Sequence, residues 1–70
     1  MPHSEYQATE LRDAIGSTRR AIRTQSIIIA SMSLLGTPAD AQKRHLTELV
    51  ASLATYNRRL SRLKRQSSKH

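Results

Sequence analysis

Leu46, Leu49, Leu53, Tyr56, Leu60 and Leu63 follow one another at steps of three and four residues. That alternation is an a/d heptad seam, the mark of a helix that lays one narrow stripe against another helix. A second helical phase runs through the N-terminal half, over Leu11, Ala14, Ile15, Thr18, Ala21, Ile22, Gln25, Ile28, Ile29, Met32 and Leu35. Its stripe is broader. Ile15, Ile22 and Ile29 line one shoulder, Ala14, Ala21 and Ile28 the other, with Thr18 and Gln25 between them. A single partner helix needs only two positions in seven, so the wider stripe implies two neighbours. Two hairpins packed as a four-helix bundle would supply them. Gln25 then either fixes register inside a packed layer or sits at its edge and reaches water.

The segment Leu35-Gly36-Thr37-Pro38-Ala39-Asp40 separates the two phases. Glycine suits the left-handed position after a helix end. Threonine is a good N-cap, proline fits the first helical position, and an acid in the first turn meets the positive end of the helix dipole. The reversal takes about two residues, so the helices run antiparallel. Upstream, Ser4 and Gln7 have capping-box spacing. The fold predicted is therefore all-α, a single coiled-coil-like hairpin domain. Helix 1 covers about residues 5–35, the turn 36–37 and helix 2 about 38–66, with a polar tail at 67–70. Gly16-Ser17-Thr18 is the weak point of helix 1, because glycine costs about 1 kcal/mol relative to alanine inside a helix. A break there would give three helices. The apolar phase continues through it, which predicts one unbroken helix and leaves Gly16 as a point of close helix approach.

At the turn end, Ile27, Ala30 and Leu34 add a second apolar row beside the stripe. The facing start of helix 2 offers Ala39, Ala41, Gln42 and Leu46, too little to cover it. An uncovered row of large apolar side chains marks a protein interface, here Ile27, Ala30 and Leu34 with Ile15, Ile22 and Ile29. Length points the same way. Seventy residues without cysteine build a small core that no disulfide staples, and association with another chain is the usual remedy. We expect a homo-oligomer or a subunit of a complex.

Twelve lysines and arginines against five acids give a formal charge of +7 and a pI near 11.2. Nine of the twelve are arginine, the residue that meets phosphate or carboxylate with two donors at once. One group is Arg19, Arg20 and Arg23, with Arg12 upstream. The other is Arg58, Arg59, Arg62, Lys64, Arg65 and Lys69, and Lys43 and Arg44 lie near the turn. Hairpin pairing about Gly36 sets Arg58 to Arg65 beside residues 8–14, where Glu10 and Asp13 would neutralise part of them. Arg19, Arg20 and Arg23 face residues 51–53, which carry no acid. The partner expected is nucleic acid contacted through its backbone, or an acidic protein face. Tyr6 and Tyr56 are the only aromatics, so base stacking on single strands fits poorly, and duplex DNA or structured RNA fits better. An anionic membrane fits less well, because the chain has no Trp or Phe to anchor an interfacial helix.

The sequence offers no catalytic constellation. His3, His45 and His70 are scattered, the serines lack a paired base, and two glycines make no phosphate loop. We expect no enzyme activity, no metal, no cofactor and no small-molecule substrate. The start shows no signal-peptide pattern and no apolar run reaches the twenty or so residues of a span, which leads to an expectation of a soluble cytoplasmic protein. Two functions fit: a basic protein on nucleic-acid backbone, or a small adaptor, inhibitor or chaperone that grips a protein through the apolar tip.

Overall fold

The computed structural model describes the backbone of residues 2–67 and the side chains of residues 5–66. The chain is an all-α helical hairpin. Helix α1 runs Pro2–Leu34 and helix α2 runs Asp40–Ser67, and the pair forms a rod of 56 × 14 × 13 Å. Residues 68–70, the rest of the expected tail, lie outside the described residues.

Helix α1 begins three residues ahead of the sequence expectation. Pro2 is its first residue, where a fixed φ and a missing N–H cost nothing. Ser4 is therefore inside the helix and not at its N-cap, and its side chain lies outside the described set. The helix continues through Gly16. The glycine is not a point of close helix approach. A Cβ built there would meet only the Arg20 guanidinium, 3.8 Å away. Helical phase over the neighbouring apolar positions therefore outweighs the weak propensity of one glycine.

The reversal is a Schellman closure. Gly36 has φ +70°, and its N–H donates to the Ser33 carbonyl at 3.1 Å while that of Thr37 donates to Met32 at 2.8 Å. These bonds satisfy carbonyls that the end of α1 would otherwise leave open. Helix α2 starts at Asp40 and not at residue 38, so Thr37 is not its N-cap. The Ala39 carbonyl takes the first α2 bond, from the Lys43 N–H at 2.9 Å. Asp40 opens the helix with its carboxylate at the positive dipole end, and Lys64 and Arg65 in the last turn complement the other.

The heptad seam does not reach the interior of a core. Leu46, Leu49, Leu53, Tyr56, Leu60 and Leu63 are all half-buried. Among the described residues the most enclosed are Ala39 at 7%, Ile15 at 9% and Thr18 at 9% exposure. Thr18 tolerates this position because its Oγ1 donates to the Ala14 carbonyl of its own helix at 2.7 Å. Gln25 is half-buried, and its Oε1 is enclosed with no donor among the described residues. That places its amide oxygen inside the packed layer.

The two glycines should respond oppositely to alanine. Gly16→Ala should stabilise by about 0.5–1 kcal/mol, since the helix gains propensity and only a flexible guanidinium is near. Gly36→Ala should destabilise by about 1 kcal/mol, entirely from the left-handed backbone, because open space surrounds that Cβ. Urea titrations at one fixed protein concentration would measure both.

Candidate functional site

Antiparallel pairing sets Gln7, Glu10, Leu11 and Ala14 of α1 against Arg59, Arg62, Leu63 and Gln66 of α2, around an open groove of about 600 Å³ at the free end of the hairpin. Arg62 belongs also to the outer face of α2, where it shares a shallow surface with Asn57, Arg58, Ser61 and Arg65. Steps of four and three residues keep Arg58, Arg62 and Arg65 on one stripe, turned away from the seam leucines. Arg59 sits at the flank, beside Ala51, Ser52, Thr55 and Tyr56.

The α1 arginines do not join this face. Arg12, Arg19 and Arg23 are spaced by seven and four residues, which puts them on a single flank of α1. With each residue turning 100° and the helices antiparallel, that flank lies on the opposite side of the rod from Arg59. Arg20 points outward and is folded back along its own helix, its Nη2 donating to Ser17 Oγ at 3.4 Å. All of Arg19, Arg20, Arg23, Arg58, Arg59, Arg62 and Arg65 are exposed. The guanidinium groups thus form a collar around the free half of the rod, not one basic face.

Glu10 lines the groove with Arg59 and Arg62, yet among the described residues no ion pair links Glu10 or Asp13 to Arg58, Arg59, Arg62 or Arg65. Glu10 instead engages Tyr6, one turn earlier. Accepting the Tyr6 hydroxyl, and the carboxylate charge itself, push that phenol up from its usual 10.0. Tyr6 is 65% exposed, while Tyr56 is half-buried in the seam.

Two features escaped the sequence reading. Arg58 is braced by Thr55, whose Oγ1 accepts from Nη2 at 3.3 Å; the signal was a hydroxyl residue three positions before an arginine, as at Ser17 and Arg20. The second is the extent of apolar exposure at the turn. Ile27 and Leu34 stand 61% and 89% exposed, and Leu35 and Val50 stand 81% and 50% exposed; Ala30 is exposed with them. Leu35 continues the α1 stripe in sequence, but α1 ends at Leu34 and the next residue turns off the helix surface. Ile28 is 37% exposed, so one shoulder of the stripe is also open. Ile15 is spent inside the hairpin, and Ile22 and Ile29 are half-buried.

Among the described residues no three His, Asp or Glu side chains gather in a way that could hold a metal ion, and no helix is long and apolar enough to cross a membrane. No protein-family model matches this chain, and no curated protein or solved structure is significantly similar to it.

Replacing Glu10 by Gln should lower the pH at which Tyr6 ionises, because both the acceptor and the charge that disfavour the phenolate are weakened. Ultraviolet titration in a Tyr56→Phe background isolates the signal. An unchanged titration would mean that Glu10 is engaged elsewhere.

Proposed function

We propose that this chain is a small basic helical protein that binds the backbone of duplex DNA or structured RNA through its arginines, without chemistry of its own. The observation that carries the reading is how charge is divided along the rod. Residues 24–57 hold Asp40, Lys43, Arg44 and Glu48, two of each sign, so the whole formal charge of +7 falls in residues 1–23 and 58–70. Together with the uncharged residues 51–57, the described parts of those segments form roughly the two-thirds of the rod away from the turn, by the 1.5 Å rise per residue. Concentrated positive charge on an exposed surface attracts a polyanion and steers its approach.

The arrangement of the arginines favours phosphate over bases. Guanidinium groups on several sides of the rod can meet successive phosphates, but they do not converge on one groove edge as direct base readout requires. Tyr56 is held in the seam, which removes one of two stacking surfaces. Arginine supports this reading better than lysine would, because its planar fork grips phosphate oxygens in pairs.

A second reading is favoured by one observation, the 89% and 81% exposure of Leu34 and Leu35. In it the chain is an adaptor, inhibitor or chaperone that docks on a protein through the tip, and its arginines face an acidic surface of that partner.

Binding to a labelled DNA duplex and a structured RNA across a salt series tests the first reading. The logarithm of affinity should fall linearly with the logarithm of salt. Combining Arg58→Gln, Arg62→Gln and Arg65→Gln should flatten the slope by about 0.9 for each phosphate that is no longer neutralised, while Leu34→Asp should leave the slope per chain unchanged. Binding that vanishes by physiological salt, with a slope indifferent to the arginine changes, would refute it and leave the protein-docking reading.

A further inference from the structure

We propose that the turn end of the hairpin is a self-association surface, covered by a second copy of this chain that points the opposite way and overlaps it only through the third of the rod next to the turn. The inference does not depend on nucleic-acid binding.

Area is the first argument. A compact folded monomer of 7.9 kDa would expose about 4,400 Å². This hairpin exposes 5591 Å². The excess is about 1,200 Å², more than the ~800 Å² that each partner contributes to a stable interface. The apolar part of that surface is concentrated. Of the large hydrophobic side chains that stand exposed among the described residues, Ile27, Ile28, Leu34, Leu35 and Val50 lie toward the turn, and Tyr6 alone lies at the free end.

Charge selects the occupant and the orientation. No residue from Thr24 to Ala39 is charged, and the start of α2 carries Asp40 and Glu48 against Lys43 and Arg44. Such a surface carries no net charge, so a second copy can meet it across a two-fold axis without repulsion, as an isologous interface requires. The free ends cannot pair in this way, because all of the net charge is there. Two hairpins side by side with their turns together would set those ends about 10 Å apart, near the Debye length of about 8 Å at physiological ionic strength, so the repulsion would be incompletely screened. Full antiparallel overlap would lay the basic end of one copy on the apolar tip of the other. Overlap limited to the third next to the turn, short of Arg23, avoids both. It doubles the apolar layer around Ile27 and Leu34 and sends the two arginine collars in opposite directions.

The arrangement is read by spin-label distances and by mass. The chain contains no cysteine, so Ser33→Cys near the tip and Ser61→Cys near the free end give clean single labels, both at exposed positions. We expect a species of twice 7.9 kDa in sedimentation equilibrium. Labels at 33 should lie within about 20 Å of each other across the dimer, and labels at 61 on the order of 50 Å apart or more, from the 1.5 Å rise per residue. Ile27→Asp with Leu34→Asp should halve the mass, while Arg58→Gln with Arg62→Gln should leave it doubled. A monomer at all concentrations, short distances between labels at 61, or a dimer unaffected by the tip changes would each overturn the proposal. If the tip variant loses its helices on dissociation, the label distances in the otherwise unaltered chain still decide the matter.

Discussion

Two helices joined by a tight reversal can cover only one stripe of each other. That limit governs this structure. The α2 seam is matched to it, with six residues at heptad spacing, Leu46, Leu49, Leu53, Tyr56, Leu60 and Leu63, yet even these remain half-buried. The α1 stripe is wider than its partner. The surplus, at Ile27, Ile28, Leu34 and Leu35, stands in solvent. Burial stabilises by roughly 25 cal/mol per Å² of apolar surface removed from water, so a hairpin that withholds this area has left much of its driving force unused. The turn itself is well determined. Backbone bonds from Gly36 and Thr37 close α1, and a proline fixes the step into α2.

Along the rod, hydrophobicity and charge are separated. The third of the rod next to the turn is apolar with balanced charge, and the remainder is hydrophilic and strongly positive. Each property would interfere with the other if they were mixed. Guanidinium groups among the tip side chains would have to be desolvated in any contact made there. Apolar side chains within the arginine collar would compete with its polar contacts. The separation lets one end associate while the other stays open to an anionic surface. Hydroxyl residues three positions before Arg20 and Arg58 brace two of the guanidinium groups, which would lower the entropy lost on meeting a phosphate in the proposed function.

The fold was legible because its signals were redundant. Heptad spacing, the broad α1 phase and Gly36 with Pro38 all indicated one hairpin, and the unbroken phase correctly overrode Gly16. Helix ends were less legible. The Thr37-Pro38 pair reads as a helix start, but the first α2 bond is accepted two residues further on, by the Ala39 carbonyl, a shift that residue preferences alone do not reveal. Gly16 was misread as a packing site because small size signals opportunity and not contact. At the candidate site, the choice of arginines followed from charge, whereas their distribution around the rod depended on the angle between residues 19–23 and 58–65. Glu10 lines the groove with Arg59 and Arg62, but no ion pair joins them among the described residues, and its charge acts on Tyr6 one turn earlier.

The central claim is that this hairpin is half of a core. Its most direct test is urea unfolding followed by circular dichroism over a hundredfold range of protein concentration. If a second copy completes the core, the unfolding midpoint rises with concentration, each tenfold step adding about 1.4 kcal/mol per dimer to the apparent stability. A midpoint that stays fixed over the whole range would mean that the hairpin stands alone, with its apolar tip left for a different partner.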